Sequence, residues 1–237
     1  MSGRRIYFSL RQKLNHFLNP ALCLACGISV KPDDFICHYC LKSLERVQNP
    51  CCLCGLPNKS TGSICPPCLH NPPKWQKMIA PLSYSGYTRQ LISEFKFNEK
   101  LHYAHALLTH IHSYYRERPV QALLPIPLHK SRLLERGYNQ SEEVASELSQ
   151  LLHIELDRSS LIRVKPTQPQ SGLSLNKRQL NIRKAFKYTP IHEYRSVAVI
   201  DDIITTGSTV LEVCKVLNRA GVQHVEVWSL ARALKHD

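Results

Sequence analysis

Eight cysteines of this 237-residue chain fall into four Cys-x-x-Cys turns: Cys23/Cys26, Cys37/Cys40, Cys51/Cys54 and Cys65/Cys68. Each turn sets two thiolates on one side of a tight bend, and two turns complete a tetrahedral S4 shell suited to Zn2+. Ten residues separate the first turn from the second, and ten the third from the fourth, so the segment reads as a duplicated unit. Sequential pairing gives one site from Cys23, Cys26, Cys37 and Cys40 and a second from Cys51, Cys54, Cys65 and Cys68. Interleaved pairing, first turn with third, fits the same spacing. Disulfides and redox-active dithiols are the competing chemistries. The N-terminus has Arg4 and Arg5 but no uninterrupted apolar stretch like a secretory signal, which favours a reducing cytosol and therefore metal. Four protein ligands close the shell, so both Zn2+ sites are expected to be structural. Cys52 is an extra thiol within the third turn, and His38 and His70 are expected to be surface residues beside ligands.

A second stretch with chemistry in it reads Val197-Ala198-Val199-Ile200-Asp201-Asp202-Ile203-Ile204-Thr205-Thr206-Gly207-Ser208-Thr209. The four leading apolar residues are expected as a buried strand. Two carboxylates come next at its C-terminal edge, where parallel sheets bind ligands. The hydroxyl-rich turn then opens a helix, whose unpaired N–H groups and partial positive charge hold a phosphate. Thr205, Thr206, Ser208 and Thr209 add hydroxyl donors, and Gly207 lets the backbone come close to an anion. Asp201 and Asp202 suit the hydroxyls of a sugar, or of a metal-bound sugar. A strand, an acidic turn and a Ser/Thr-capped helix with no ligand is the plainer reading, but a cap needs fewer of these residues. Upstream, His129, Lys130, Arg132 and Arg136 form a basic loop beside an expected strand end, and guanidinium groups grip phosphate in bidentate fashion.

Thirty-one Lys and Arg against 18 Asp and Glu give a formal charge of +13. Two closed S4 zinc sites would lower this to about +9. Residues 157–196 hold nine Lys/Arg and two Asp/Glu, and residues 1–20 hold four basic residues and no acid. Such clusters suit a polyanion and make affinity fall with salt. Lys177, Arg178, Arg183 and Lys184 are the candidate contacts to nucleic acid. A hydrophobic share of 43% excludes wholesale disorder. No apolar run approaches the ~18 residues of a membrane span.

Three segments must position these groups. Residues 1–20 are expected as an amphipathic helix docked on the next domain, burying Phe8, Leu10, Leu14, Phe17 and Leu18, with an Arg-rich transit peptide as the alternative. Residues 21–72 are the metal-bound segment, ending in a stiff, extended connection through Pro66, Pro67, Pro72 and Pro73. Residues 78–237 alternate strands and helices. Met78–Tyr84, Ala122–Ile126, Leu161–Val164, Val197–Ile200 and Val225–Leu230 read as strands. Leu91–Phe95, Leu101–His112, a helix opened by Asn139-x-x-Glu142, and Thr209–Arg219 read as helices, the last stopped by Gly221. The alternation implies an α/β domain: a mostly parallel sheet with helices on both faces. Cys214, Trp75 and Trp228 are expected to pack in cores, and His102, His105, His110 and His112 show no ligand pattern.

The Val197–Thr209 stretch resembles the 5-phosphoribosyl-1-pyrophosphate (PRPP) signature of type I phosphoribosyltransferases. Over about residues 20–234 the chain resembles the ComF family, also called ComF/GntX, in its paired zinc ribbon, its prolines and this signature. Pro125-Ile126-Pro127-Leu128-His129-Lys130-Ser131-Arg132 before Arg136-Gly137-Tyr138-Asn139-Gln140 is similar to the family's proline-rich loop and RGFNQ segment, with Tyr138 where Phe is usual. Thr167-Gln168-Pro169-Gln170-Ser171-Gly172-Leu173-Ser174, then Arg178, Asn181 and Ala185-Phe186, resemble its other characteristic stretch and read as a flap over the site.

The resemblance implies a type I phosphoribosyltransferase-like parallel sheet behind a double zinc ribbon. It implies PRPP bound with Mg2+ through Asp201, Asp202, Ile203, Ile204, Thr205, Thr206, Gly207, Ser208 and Thr209, and diphosphate held by His129, Lys130, Arg132 and Arg136. Asp201 and Asp202 would orient the reacting ribose. It also implies a cytoplasmic competence protein, acting at the inner face of the membrane through partners. There it would handle incoming single-stranded DNA in natural transformation beside a helicase-like protein. No segment reads a purine or pyrimidine, so transfer to an acceptor stands beside PRPP binding without turnover. The non-enzymatic alternative is a zinc-dependent adaptor linking a DNA-uptake helicase to other competence proteins.

Overall fold

The computed structural model describes residues 21–31, 34–60, 62–97, 102–116, 118–165 and 182–234. The expected amphipathic segment 1–20, the Thr167–Ser174 stretch, Lys177, Arg178 and Asn181 lie outside them.

The central sheet has six strands: β1 (Lys77–Ile79), β2 (Leu82–Ser83), β3 (Ala122–Pro125), β4 (Glu155–Leu156), β7 (Ser196–Ile204) and β8 (His224–Arg232). Its order is β1-β8-β7-β3-β4, with β2 following β1 along the same rim of β8, and every pair is parallel. β7 and β8 are rich in Val and Ile and covered on both faces, as central parallel strands must be. They stay in register from Ser196↔His224 to Ile204↔Arg232.

Helices cover both faces, as expected. On one side α3 (Gly86–Phe97), α4 (His102–Ile111) and α6 (Gln140–Leu152) bury Leu91, Ile92, Phe95, Leu107, Leu108, Val144 and Leu148 against Ala198, Ile200, Trp228 and Leu230. On the other side α7 (Ser208–Arg219) buries Val210, Val213, Cys214 and Leu217 against Val197, Val199, Val225 and Val227. That i, i+3, i+4, i+7 stripe is why the segment is a helix. Each fully buried Val or Leu there contributes about 1.5–3 kcal/mol.

Four expectations need correction. Met78–Tyr84 is two short strands, β1 and β2, separated by Ala80 and Pro81. Leu161–Val164 leaves the main sheet: β5 (Leu161–Arg163) pairs antiparallel with β6 (Phe186–Tyr188). The basic loop is a helix, α5 (Lys130–Arg136), capped by the His129 imidazole accepting from the Ser131 amide and ended by Gly137 at φ 76°. The proline connection is not extended at its start, because Pro66–His70 forms a helical turn, α2. Proline's fixed φ suits the first turn of a helix, which is where Pro66 and Pro67 sit.

The cysteine-rich segment repeats itself. In each half the first cysteine's amide bonds a carbonyl five residues on (Cys23 to Ile28, Cys51 to Leu56), and a glycine at positive φ follows the turn (Gly27 at 75°, Gly55 at 67°). The second turn of the first half leads into the one-turn helix α1 (His38–Lys42). The segment is built into the α/β unit rather than hung from it. Ile36, Cys37 and Leu44 share a core with Phe95 and Leu107. Residues 45–47 extend the sheet at its rim, with Ser83 N–H donating to the Glu45 carbonyl at 2.8 Å and Val47 N–H to the Pro81 carbonyl at 3.2 Å.

Candidate functional site: a crevice at the switch point

From β3 the chain crosses by α5 and α6 to β4, and from β7 it crosses by α7 to β8 on the opposite side. The winding direction therefore reverses between β3 and β7, and their carboxyl ends open into the crevice where such sheets take ligands.

Both strand ends deliver candidate residues to it. Ile126 N–H donates to the Ile200 carbonyl at 2.9 Å, which locks the two strand ends together. Asn139 caps α6 by accepting from the Ser141 amide, and its Nδ2 donates to the Ile126 carbonyl at 3.1 Å. Ser141, thus oriented, donates its hydroxyl to Asp201 Oδ1 at 2.8 Å. Strand β7 runs on past the expected end at Ile200, through Asp201 and Asp202 to Ile204, so the carboxylates stand on ordered backbone. Asp202 is buried and its Oδ1 accepts from the Ile203 amide at 2.8 Å.

The hydroxyl-rich turn comes at once. Gly207 adopts φ 76° and caps α7 through its carbonyl, which accepts from Leu211 N–H at 2.8 Å. The Thr206 and Ser208 hydroxyls lie 2.9 Å apart, and Ser208 N–H donates to Thr206 Oγ1 at 3.3 Å. Thr205 is exposed, while Thr206, Gly207 and Thr209 are half-buried. Hydroxyls and amides therefore converge at a helix N-terminus just beyond the strand, a donor set suited to an oxyanion.

Positive charge comes from α5 and from a residue the sequence did not single out. Lys130 is exposed, and Arg132 and Arg136 are half-buried. Arg136 Nη1 lies 3.5 Å from Gln140 Oε1. Arg163, on β5, faces both Arg132 and Asp201. Burial and the neighbouring Arg132 guanidinium push its pKa down to about 10, against the pull of Asp201. Its guanidinium also stands 5.5 Å over the Phe186 ring. Arg163 is identifiable only once β5 is seen to leave the sheet. Of the candidate nucleic-acid residues, Arg183 and Lys184 are exposed just before β6, and Lys184 N–H is held by Glu212 Oε1 at 2.7 Å. Tyr138 uses its extra hydroxyl, donating to the Phe95 carbonyl.

The cysteines pair sequentially. The four Sγ atoms of Cys23, Cys26, Cys37 and Cys40 lie within 4.8 Å of one another, and so do those of Cys51, Cys54, Cys65 and Cys68. Cys26–Cys37 and Cys54–Cys65 sulfurs are 3.8 and 3.7 Å apart. A tetrahedral ion with Zn–S bonds of ~2.3 Å spaces its sulfurs about 3.8 Å apart, whereas a disulfide needs about 2.05 Å. The residues fit zinc, and both clusters could hold it. Burial raises the pKa of Cys23, but amides of Cys37, Cys26 and Ala25 outweigh it and hold the thiol down at about 6. The amides of Cys65, Cys54 and Leu53 do the same for Cys51, at about 7. One thiol of each cluster is thus favoured as thiolate, the form a metal takes, while burial raises Cys40, Cys54 and Cys68 beside them. Cys52, His38 and His70 belong to neither cluster.

Comparison with known proteins places these features together. Residues 137–236 match the phosphoribosyl transferase domain model. The chain is similar to the DNA utilization protein YhgH of Escherichia coli K12, 32% identical over 223 residues, covering 91% of this chain and 98% of that one. It is similar to competence protein F of Haemophilus influenzae, 34% identical over 208 residues and covering 84% and 90%. It is 28% identical over 194 residues to competence protein ComFC of Bacillus subtilis, covering 76% of each. A parallel sheet with the phosphoribosyl transferase pattern, two four-cysteine clusters ahead of it and relatives matched along almost their full length have one reading: the chain belongs to the ComF family.

Proposed function

We propose that the chain binds PRPP in the β3/β7 crevice and acts in the handling of single-stranded DNA during uptake. The observation that carries the reading is the convergence on Asp201: Ser141 from α6 donates to it and the Arg163 guanidinium from β5 acts on it electrostatically, at the switch point of the sheet, on the strand that leads straight into the hydroxyl turn. In this reading the amides and hydroxyls of Thr205–Thr209 hold the 5-phosphate, with Ile203 and Ile204 bringing the chain to it. Asp201 and Asp202 accept the ribose hydroxyls. His129, Lys130, Arg132 and Arg136, joined by Arg163, hold the diphosphate. Mg2+ bound with PRPP would supply charge neutralisation at the leaving diphosphate.

In a transfer, the bond from C1 to the diphosphate oxygen breaks, its electron pair leaves with diphosphate, and an acceptor atom bonds to C1. The positive charge that builds on the ribose falls beside Asp201 and Asp202, so no protein nucleophile is required. Titration calorimetry with PRPP and Mg2+ tests the site, and absence of binding to the folded protein rejects it. Diphosphate release in the presence of candidate acceptors tests turnover.

The DNA reading rests on the relatives named for DNA utilization and competence and on the exposed cations Arg183 and Lys184. Among the described residues no helix is long and apolar enough to cross a membrane. We assign the protein to the cytoplasm, at the inner face of the membrane through partners. The units are residues 21–72, which hold two structural Zn2+ ions, and residues 78–237, which hold PRPP. A second reading, the zinc-dependent adaptor for a helicase-like protein, draws support from Tyr39 and Leu69, apolar side chains 76% and 64% exposed beside the clusters. Loss of partner capture in Tyr39→Ser with Leu69→Ser, with PRPP binding retained, is the result that supports it.

A further inference from the structure

The two four-cysteine clusters repeat in sequence but face different neighbours. The first packs into the α3/α4 side, with Cys23, Cys37 and Cys40 in one core with Phe95 and Leu107. The second touches the hydroxyl turn of the crevice by two separate routes.

One route is Arg232, the last residue of β8, only 6% exposed. Its Nε donates to the carbonyl of Cys54, within the third Cys-x-x-Cys turn, at 2.9 Å. Its Nη1 donates to the carbonyls of Ile204 at 2.9 Å, Ala233 at 3.0 Å, and Thr205. One planar cation therefore joins the metal knuckle to the two residues that lead into the turn. Carbonyl and N–H of a trans peptide point in opposite directions. Pinning the Ile204 and Thr205 carbonyls toward Arg232 therefore turns the Thr205 and Thr206 amides away from it.

The other route is Trp75, also buried. Its indole N–H donates to the Leu53 carbonyl, in the same Cys51–Cys54 turn, at 2.6 Å. The far edge of its ring lies 3.9 Å from where a side chain on Gly207 would begin. Gly55, next in the chain, leaves room for the Arg232 side chain: a Cβ there would stand 3.5 Å from Arg232 Cδ and 3.1 Å from Met78 Sδ. Residues 53, 54 and 55 are thus all engaged with the walls of the turn.

We propose that Arg232 and Trp75 are positioning residues for the 205–209 turn, through which the second four-cysteine cluster, once it holds its metal, fixes the turn in its anion-binding shape. The first cluster serves the helical face and leaves the turn alone. The proposal rests on the reading of that turn as a phosphate site, but its central contrast is measurable without ligand.

The test compares the full chain with Cys65→Ser in the second cluster, Cys26→Ser in the first, and Trp75→Phe, which keeps an aromatic ring and removes the N–H. Each is assayed for bound zinc, for amide hydrogen exchange at residues 205–210 without ligand, and for PRPP affinity with Mg2+. Cys65→Ser and Cys26→Ser should each cost one zinc. Cys65→Ser alone of the two should speed exchange at 205–210 by about tenfold or more and weaken PRPP by a similar factor. Trp75→Phe should keep both metals and still speed exchange severalfold. Equal effects of the two cysteine variants, or unchanged exchange in Cys65→Ser, would overturn the proposal. If wild-type protein ignores PRPP, the phosphate reading fails, while the exchange contrast still decides the coupling.

Discussion

Replacing both crevice carboxylates by amides, Asp201→Asn with Asp202→Asn, isolates their charge from their shape. Asp201 Oδ1 accepts from Ser141, and Asp202 Oδ1 accepts from Ile203 N–H. An amide oxygen at either position can accept the same bond, so the fold should survive with a change of about 1 kcal/mol or less per site. The amide cannot match a carboxylate as acceptor for two ribose hydroxyls. A hydrogen bond to a charged group contributes about 1.5–3 kcal/mol, so losing two costs about 3–6 kcal/mol. That is a weakening of PRPP by about 10²–10⁴. Calorimetry at fixed Mg2+ measures it, and a thermal melt of the same sample checks folding. A folded double variant that binds PRPP as wild type does would refute the assignment of the ribose to this strand end.

Metal analysis of protein isolated under reducing conditions should find about two Zn2+ per chain, and none would rule out the ribbons. Arg183→Gln with Lys184→Gln should flatten the slope of log affinity for single-stranded DNA against log salt by about 1.4, from about 0.7 per phosphate contact; an unchanged slope removes that patch from the DNA surface. Burial raises the Cys214 thiol above its ordinary value of 9.0. Its contribution is whole below pH 9 and is lost as pH rises further, because the unfolded thiol ionises first. Cys214→Ala should therefore lose less stability than wild type between about pH 9 and 10, read by denaturant melts, and parallel losses would refute it.

How much of this was legible in the sequence depends on how local each signal is. The cysteine turns and the Val197–Thr209 stretch carry their chemistry within fewer than twenty residues each, and both fold as their spacing suggests. The choice between sequential and interleaved cysteine pairing is a matter of distance in space, to which equal spacings are blind. Helix α5 was hidden because its seven residues are too few for a period, and its cap is a histidine, an unusual choice. Arg163 and Arg232 read as ordinary cations at strand ends. What makes them matter is an interaction with residues far off in sequence: an electrostatic one with Asp201 for Arg163, and a hydrogen bond to the Cys54 carbonyl for Arg232. The paired prolines suggested a spacer because proline disfavours helix interiors, yet at the first turn the same ring favours one.

The rim of the sheet carries a consequence for proteins made when metal is scarce. One border, β4, is kept to two residues, too short to recruit a stranger. The other is shielded by residues 45–47 of the ribbon, lying antiparallel to β2 through Arg46↔Leu82. That shield lies between the two four-cysteine clusters, and a segment with so small a core of its own is expected to owe its order to the metal they could hold. A zinc-starved chain is therefore expected to bare a row of backbone donors and acceptors at that rim, and through it to stick to its own copies.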